Sequence, residues 1–225
     1  MIRRHFLLGL SSLSFSLTPA TKGLSQTAGT VFNIQWRNLD VGYSSINVRE
    51  KESKVYVDVD VRINVSLFKI QFFSYSLKCK EVWERKQLIS LKSEVLIGKK
   101  REYCNVKRSE NGLRVDGSSF SGLVEGNPGT TSYFTPDFLK RKVWISTQNG
   151  KPLNISTKSL GSEQIDSPLG MIIATNWQVT GDLNLNLYYD KNNEWVASAF
   201  MAGGSKASFV LHNKVGNINK IWERS

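Results

Sequence analysis

Alternation of apolar and polar residues runs without a break from Val55 to Val65. Valine or isoleucine occupies every second position, and Asp58, Asp60 and Arg62 stand between them. A helix with 3.6 residues per turn would scatter these apolar side chains around its circumference, whereas a strand places all of them on one face. The pattern therefore predicts a long strand with one face buried and one face in water.

Shorter stretches of the same kind recur along most of the chain. Asn111-Gly112 is a strong hairpin-turn signal, and the last third, from Met171 to His212, has the pattern of a meander. About ten strands at spacings near ten residues, with little helix, are typical of an antiparallel sheet. We therefore predict an all-β fold with a single domain over residues 30–213. Its long antiparallel strands are expected to form a strongly curved sheet in a barrel-like or half-barrel arrangement.

One short segment interrupts the strand pattern with signals for a helix start. Thr135 has the character of an N-cap, Pro136 suits the first helical position, and Asp137 places a negative charge in the first turn. These residues predict a short helix near residues 135–141. Beyond the domain, residues 214–225 are predicted to form a polar C-terminal tail.

The first twenty residues have the layout of a cleavable secretory signal peptide. They open with Arg3-Arg4-His5-Phe6-Leu7, continue with an apolar run to Leu17, and end with small residues before a cut after Ala20. The opening is similar to a twin-arginine motif, and an ordinary Sec signal is the alternative. Residues 1–20 thus predict export through the twin-arginine or Sec machinery, to the periplasm or out of the cell.

Membrane and nucleic-acid partners can be judged from length and charge. The apolar run spans only ~18 Å as a helix, short of the ~30 Å hydrocarbon core, so no permanent membrane span is expected. The formal charge of +11 falls to +9 when Arg3 and Arg4 leave with the signal. The remaining lysines are scattered, which favours a role in solubility, with attraction to anionic lipid, lipopolysaccharide or acidic polymer as the alternative. Nucleic-acid binding would need a concentrated basic stripe, and we predict none.

Two cysteines, Cys79 and Cys104, remain in the mature chain. An oxidising compartment would permit a disulfide between them, provided that their Cα atoms come within ~7 Å. The alternative is a pair of buried thiols that pack as small apolar residues. The sequence leaves both possibilities open.

No catalytic, metal or cofactor site stands out. His5 and His212 are the only histidines, and His5 lies in the signal peptide. One histidine and two separated cysteines do not make a standard zinc site, and no glycine-rich phosphate loop follows a strand. A glycosidase-like pair would have to come from Glu81, Glu94, Asp116 and Asp190, and nothing singles out two of them. We predict no catalytic residues, no metal ligands and no cofactor.

A series of residues along two predicted strands stands out by its order and spacing, namely Tyr75, Glu81, Trp83, Leu88, Leu91 and Ser93. Together with further residues along the chain, this series resembles the Domain of Unknown Function 6134 family of exported bacterial proteins. The resemblance spans roughly residues 31–212. This chain departs from the family pattern at Phe134, where a tryptophan is expected, and near Cys79 and Lys80, where a histidine is expected before the glutamate. The resemblance implies an all-β exported protein and no particular activity. The residues that carry it are Asp40, Gly42, Tyr75, Glu81, Trp83, Leu88, Leu91, Ser93, Tyr133, Thr147 to Gly150, Leu160, Gly161, Glu163, Leu187 to Asp190 and Trp195.

Aromatic residues within the predicted strands carry the binding hypothesis. A curved sheet lined by such rings could hold an acyl chain, an isoprenoid or another amphiphile. The alternative is that the rings fill the core of a large β domain. The candidate ligand-binding residues are Tyr75, Glu81, Trp83, Tyr133 and Trp144.

Glu81 can be interpreted in two ways. Strand alternation places it on the same face as Cys79 and Trp83. If that face is inward, the carboxylate needs a partner and could orient a ligand together with Tyr75. If it is outward, Glu81 pairs with a neighbouring lysine.

Three functions follow, in this order. The first is non-enzymatic binding of an apolar or amphiphilic envelope molecule by an exported β-protein. The second is a structural or protein-interaction role in the envelope, and the third is a hydrolase of unrecognised type. A deep apolar cavity would favour the first, and two carboxylates converging in a cleft would favour the third.

Overall fold

The strand predicted from the long alternation is present, with one face buried. It is Lys54–Leu67, labelled β3. Val55, Val57 and Val59 are buried, whereas Arg62 on the other face is exposed. Apolar burial against the interior is thus what holds this strand in register.

The computed structural model describes residues 26–67 and 70–225. The predicted signal peptide, with Arg3, Arg4, Phe6 and Leu7, lies outside the described residues. Within the two described ranges, no helix is both long and apolar enough to cross a membrane.

Strands make up most of the described chain. The strand predicted over Val55 to Val65 is longer than expected, at Lys54–Leu67. The elements are β1 Thr27–Trp36, β2 Leu39–Lys51, β3 Lys54–Leu67, β4 Ile70–Glu84, β5 Gln87–Ile97, β6 Lys100–Ser109, β7 Gly112–Gly117, β8 Ser121–Val124, β9 Gly129–Thr130, a 3-10 helix Pro136–Lys140, β10 Val143–Ile145, β11 Pro152–Ser167, β12 Gly170–Gly181, β13 Leu185–Asp190, β14 Trp195–Ala202, β15 Ser205–Val215 and α1 Ile218–Trp222.

All fifteen described strands belong to one sheet. Its order runs β8-β7-β6-β5-β4-β3-β2-β1-β15-β14-β13-β12-β11-β10-β9, so β1 pairs with β15 in the middle and the outer strands β8 and β9 do not pair with each other. Neighbouring strands are antiparallel, except that β9 and β10 are parallel. The predicted all-β antiparallel fold is confirmed, as a curved sheet that does not close.

The segment between β8 and β11, residues 125–150, contains the short edge strands β9 and β10 and turns into the curve of the sheet; it is called the inner segment. On one side, the Ser93 hydroxyl of β5 donates to the Thr147 carbonyl, and Ser119 N–H donates to the Asn149 carbonyl at 3.0 Å. On the other side, the Tyr189 hydroxyl of β13 donates to the Tyr133 carbonyl at 2.8 Å. These bonds tie both halves of the sheet to one stretch of chain.

The closest approach to the inner segment requires a glycine. A Cβ atom on Gly117 would stand 2.4 Å from the carbonyl oxygen of Asn149. Any side chain at this position would push β7 away from the inner segment, because non-bonded heavy atoms do not pack at that distance.

The short helix predicted near residues 135–141 is present as the 3-10 helix Pro136–Lys140. Thr135 is its N-cap, and the Thr135 hydroxyl accepts a hydrogen bond from Asp137 N–H at 3.3 Å. Phe138 and Leu139 are buried. The helix therefore adds apolar side chains to the interior.

The C-terminal residues differ from the predicted polar tail over residues 214–225. Strand β15 continues to Val215, and α1 follows with Ile218, Ile221 and Trp222 all buried. Their spacing of three and four residues places them on one face of a helical turn. Asn217 caps the helix by accepting a hydrogen bond from Lys220 N–H at 2.7 Å. Five residues are too short for helix periodicity to be recognised against a polar background.

Cys79 and Cys104 are free and buried, so the alternative of two packed thiols holds. Cys79 lies opposite Ser93 of β5, and Ser93 lies opposite Cys104 of β6. One strand therefore separates them, which places their Cα atoms roughly 10 Å apart. That distance is too long for a disulfide.

Removing the C-terminal indole should weaken the fold strongly. Trp222 is fully buried, lies 5.2 Å from the Phe134 ring centroid, and donates from Nε1 to Asp137 Oδ2 at 2.8 Å. We expect Trp222→Ala to lower the free energy of unfolding by about 3–5 kcal/mol, measured by urea denaturation. The exposed His212 provides the control, and His212→Ala should change the value by less than about 0.5 kcal/mol. Equal small effects would contradict the assignment of α1 to the core.

Candidate functional site

A cleft of about 640 Å³ opens at one end of the curved sheet. Strands β2 to β4 form one wall and strands β13 to β15 form the other, because their inward faces turn toward each other across the curve. Its size is within the usual range for small-molecule sites. Representative apolar lining residues are Ile46, Val61, Ile63, Leu185, Phe200 and Phe209.

The inner segment forms the floor of the cleft. Ser132 and Tyr133 line it from one turn, and Ser146 to Gln148 line it from another. The hydroxyls of Thr131 and Thr147 are 2.9 Å apart, which joins the two turns by a hydrogen bond. The inner segment therefore fills one end of the sheet and leaves the other end open.

The walls of the cleft carry very little charge. Among the described lining residues, Asp182 is the single charged side chain, and its carboxylate lies 3.8 Å from Lys151 Nζ. A ligand that enters the cleft thus meets a mainly apolar surface with one charged side chain. Transfer of apolar groups from water to such a surface is favourable.

Tyr75 and Tyr133, two of the predicted ligand-binding residues, both line the cleft. Burial raises the pKa of each phenol above its usual range, and for Tyr75 the proximity of Tyr133 adds to the effect. Both hydroxyls therefore stay protonated and can donate. Neither hydroxyl has a hydrogen-bond partner within residues 26–67 and 70–225. The two phenols are the polar groups of the cleft best suited to a ligand.

Tyr133 holds an unusual backbone conformation. Its φ of 56° lies in the left-handed region, which is unfavourable for a bulky side chain. The Tyr189 hydroxyl donates a hydrogen bond to the Tyr133 carbonyl. The ring centroid of Tyr133 lies 5.7 Å from the ring centroid of Trp144 and 5.7 Å from that of Trp195. These contacts direct the phenol into the cleft.

Glu81 faces inward, which decides between its two interpretations. Its side chain is 1% exposed, and Oε2 accepts a hydrogen bond from Trp83 Nε1 at 2.7 Å. Cys79 Sγ lies 3.9 Å from Oε1. Since Cys79 and Ser132 line the cleft and both hydrogen-bond to Glu81, the carboxyl group sits directly behind the floor.

Burial raises the pKa of Glu81 to about 7. Hydrogen bonds from Trp83, Thr130, Ser132 and Cys79 favour the ionised form and limit the increase. The group thus gains or loses its proton near neutral pH. It is the one described carboxyl next to the cleft with this property.

Trp83 and Trp144, the other two predicted residues, lie in the core and do not line the cleft. Trp83 packs against Phe138 at 5.2 Å and Trp222 at 5.4 Å between ring centroids. Trp144 is fully buried and donates from Nε1 to the Phe138 carbonyl at 2.8 Å. Both rings fill the end of the sheet that the inner segment occupies. For these two tryptophans, the structure therefore agrees with the alternative that the aromatic rings fill the core of the β domain.

Sequence reasoning missed the second wall of the cleft. Phe200 and Phe209, with ring centroids 6.0 Å apart, come from β14 and β15, and Ser198 lies beside them at 3% exposure. The sequence indicated only that these residues belong to a meander of strands. Nothing in the sequence showed that this wall would stand opposite β3.

A second, smaller cleft of about 270 Å³ holds three carboxylates, from Asp137, Asp190 and Glu223. Lys86 Nζ lies 3.3 Å from Asp137 and 2.9 Å from Glu223, while Lys214 lies 3.7 Å from Asp190. Burial opposes ionisation of Asp137, but hydrogen bonds from Trp222 and Lys140 lower its pKa to about 2. These carboxylates are structural ion-pair partners: Lys86 joins the 3-10 helix to the end of α1, and Lys214 joins β15 to β13.

Comparison with known proteins agrees with this architecture. A family model described as Domain of unknown function (DUF6134) matches residues 32–212. No curated protein matches the chain. A solved structure, the crystal structure of a beta-barrel-like protein of domain of unknown function DUF1849 from Brucella abortus, is similar with a TM-score of 0.59 and 7% identity. The alignment covers 84% of this chain and 97% of that one, and it shows a shared fold.

The buried carboxyl should make stability depend on pH in an unusual direction. The folded protein holds the Glu81 proton up to pH about 7, whereas the unfolded chain loses it near 4.5. The folded state therefore binds more protons between these values, so its free energy of unfolding falls as pH rises through this window. The loss from Glu81 amounts to about 3 kcal/mol.

Urea denaturation of the natural protein and Glu81→Gln at several pH values measures this effect. The glutamine amide keeps an oxygen for Trp83 but cannot ionise. We expect the free energy of unfolding of Glu81→Gln, relative to that of the natural protein, to rise by about 3 kcal/mol from pH 4.5 to above 7. The exposed Glu94 on β5 supplies the control, and Glu94→Gln should show no such shift. A constant difference for Glu81→Gln would contradict a neutral buried carboxyl.

Proposed function

Because the chain belongs to the DUF6134 family, whose description states no function, we propose from the geometry of the cleft that this protein binds an acyl chain or another amphiphile of the cell envelope without transforming it. The observation that carries the proposal is an apolar, almost uncharged cleft of about 640 Å³ inside a curved sheet. An apolar chain would replace water along both walls, and burial of apolar surface supplies the affinity.

The polar group of the ligand would lie between Tyr75 and Tyr133. Both phenols line the cleft, and burial keeps both protonated. A protonated phenol donates to a carbonyl, ester or alcohol oxygen. Since the one charged lining residue is an aspartate, the ligand class that fits best has an uncharged acceptor group on an apolar chain.

A protein-interaction role is the second candidate, and the β11–β12 hairpin favours it. Residues 164–173 at the tip of this hairpin pair only with each other, because β12 pairs with β13 from Ala174 onward. Met171 and Ile173 are 65% and 66% exposed on this hairpin. Exposed apolar groups of this kind mark contact sites in many proteins.

Narrowing the cleft tests the binding proposal. Ser198→Leu replaces the hydroxymethyl side chain by a larger isobutyl group on β14, in the wall of the cleft. Ser208→Leu makes the same change on the outward face of the neighbouring strand β15. We expect the affinity for the apolar fluorescent probe N-phenyl-1-naphthylamine to fall at least tenfold in Ser198→Leu and to stay unchanged in Ser208→Leu. Near-ultraviolet circular dichroism checks that both variants remain folded, because overpacking itself costs about 1–3 kcal/mol.

The tyrosines are tested in the same assay by displacement with octanol and with octane. Tyr75→Phe combined with Tyr133→Phe keeps the size of the walls and removes both donors. Octanol should displace the probe roughly tenfold less well from the double variant, while octane should be unaffected. Undiminished probe binding in Ser198→Leu, together with no lipid in organic extracts of the natively purified protein, would overturn the proposal.

Export is part of the proposal and rests on the first residues. Arg3→Lys combined with Arg4→Lys keeps the charge but removes the paired arginines. We expect the precursor to accumulate in the cytoplasm, measured by fractionation and immunoblotting. Lys22→Arg is the control and should be processed normally. Equal amounts of the double variant and of Lys22→Arg in the periplasm would contradict the twin-arginine route. If the natural protein itself stayed in the cytoplasm with its first twenty residues intact, that result would contradict export.

A further inference from the structure

Four turns lie side by side at the open end of the sheet. Strand register places Trp36 opposite Leu39, Val65 opposite Phe73, Ile97 opposite Lys100, and Met201 opposite Lys206. Arg37 N–H donates to the Lys206 carbonyl at 3.1 Å, and Gly98 N–H donates to the Ser74 carbonyl at 2.9 Å. Phe73 and Met201 also line the cleft, so the β3–β4 and β14–β15 hairpins border its mouth.

Large apolar side chains project from these turns into solvent. Leu39 is 64% exposed, Phe72 65%, Phe73 43% and Met201 64%. Water exposure of four such groups around one opening is unfavourable unless another apolar phase covers them.

Cations stand among these apolar groups. Arg37 follows β1, Lys99 to Arg101 span the turn after β5 and the start of β6, and Lys206 is the second residue of β15. Lys100 pairs with Glu102 at 2.5 Å, whereas the other four form no ion pair in the described part of the chain. Together these groups form the open rim: Leu39, Phe72, Phe73, Met201, Arg37, Lys99, Lys100, Arg101 and Lys206.

The opposite end of the sheet is different. Its turns contain neighbouring charges of both signs, and Lys51 pairs with Glu52, Lys54 with Glu84. The β11–β12 hairpin has apolar side chains of similar exposure, but residues 159–173 contain Glu163 and Asp166 and no lysine or arginine. The open rim also contains Asp40, which accepts a hydrogen bond from Gln35 Nε2 at 3.0 Å. Apolar side chains and cations unpaired within the described residues are thus combined at the open rim, unlike in the paired turns of the opposite end and at the tip of the β11–β12 hairpin.

We propose that the open rim docks on a membrane surface that contains anionic lipid. The four apolar side chains enter the interfacial region, and the cations lie against lipid phosphates. Peripheral proteins bind membranes through this combination of apolar burial and cationic attraction. The docked orientation places the mouth of the cleft against the lipid, yet docking itself does not depend on what the cleft holds.

Site-specific fluorescence on the full chain tests the contact. An environment-sensitive nitrobenzoxadiazole label is attached to Met201→Cys on the open rim, or to Ile173→Cys on the β11–β12 hairpin, two positions of nearly equal exposure. Both natural cysteines are buried and do not compete for the label. The probe membranes are phosphatidylcholine vesicles with and without phosphatidylglycerol.

We expect a several-fold increase and a blue shift in fluorescence at Met201→Cys with anionic vesicles only, and no change at Ile173→Cys. Salt at about 0.5 M should abolish the increase, since it screens the attraction. Adding Lys99→Gln and Arg101→Gln should lower the vesicle partition coefficient by about fivefold for each lost cation. Lys51→Gln with Lys54→Gln is the matched control and should have no effect.

Equal responses at both labels, equal responses to both vesicle types, or no response would overturn the proposal. A response at Ile173→Cys alone would assign membrane contact to the hairpin instead. Ser198→Leu should dock like the natural protein, so a failure of ligand binding and a failure of docking give separate results. Thermal melting of each labelled variant confirms that it is folded.

Discussion

One constraint governs this molecule: a sheet of fifteen strands has an apolar face far larger than any single element of the chain can cover. Curling brings the two halves of that face toward each other, and the inner segment fills the space between them at one end. Phe134, Phe138, Trp83 and Trp222 complete the filling there. The chain has no equivalent filler for the other end within its described residues, so the cleft is the unfilled remainder of the same interior.

Glu81 connects the two ends of the interior. On one side it accepts the hydrogen bond of Trp83 in the aromatic core, and on the other it contacts Cys79 and Ser132, which line the cleft. A carboxyl in this position is costly to ionise, and its raised pKa is the result. The residue that appeared most informative in the sequence thus marks the boundary between a packed core and an open site.

Much of the local structure could be predicted from the sequence, because local chemistry determines it. Alternation identified β3 and the shared face of Cys79, Glu81 and Trp83, and the Thr135-Pro136-Asp137 signal located the short helix. Pairing across the chain could not be predicted in this way. The separation of Cys79 from Cys104, the contact of α1 with the core, and the wall formed by Phe200 and Phe209 all depend on which strands become neighbours in space.

The pairing of β1 with β15 also determines when the protein can fold. Trp36 lies opposite Ala207, and Gly29 opposite Val215, so partners come from opposite ends of the described chain. Contacts of such long sequence separation form slowly, since the intervening chain must first be ordered. During synthesis β1 leaves the ribosome early and keeps one edge unpaired until β15 follows. That edge is the natural point for a chaperone to bind, and for self-association to compete with folding.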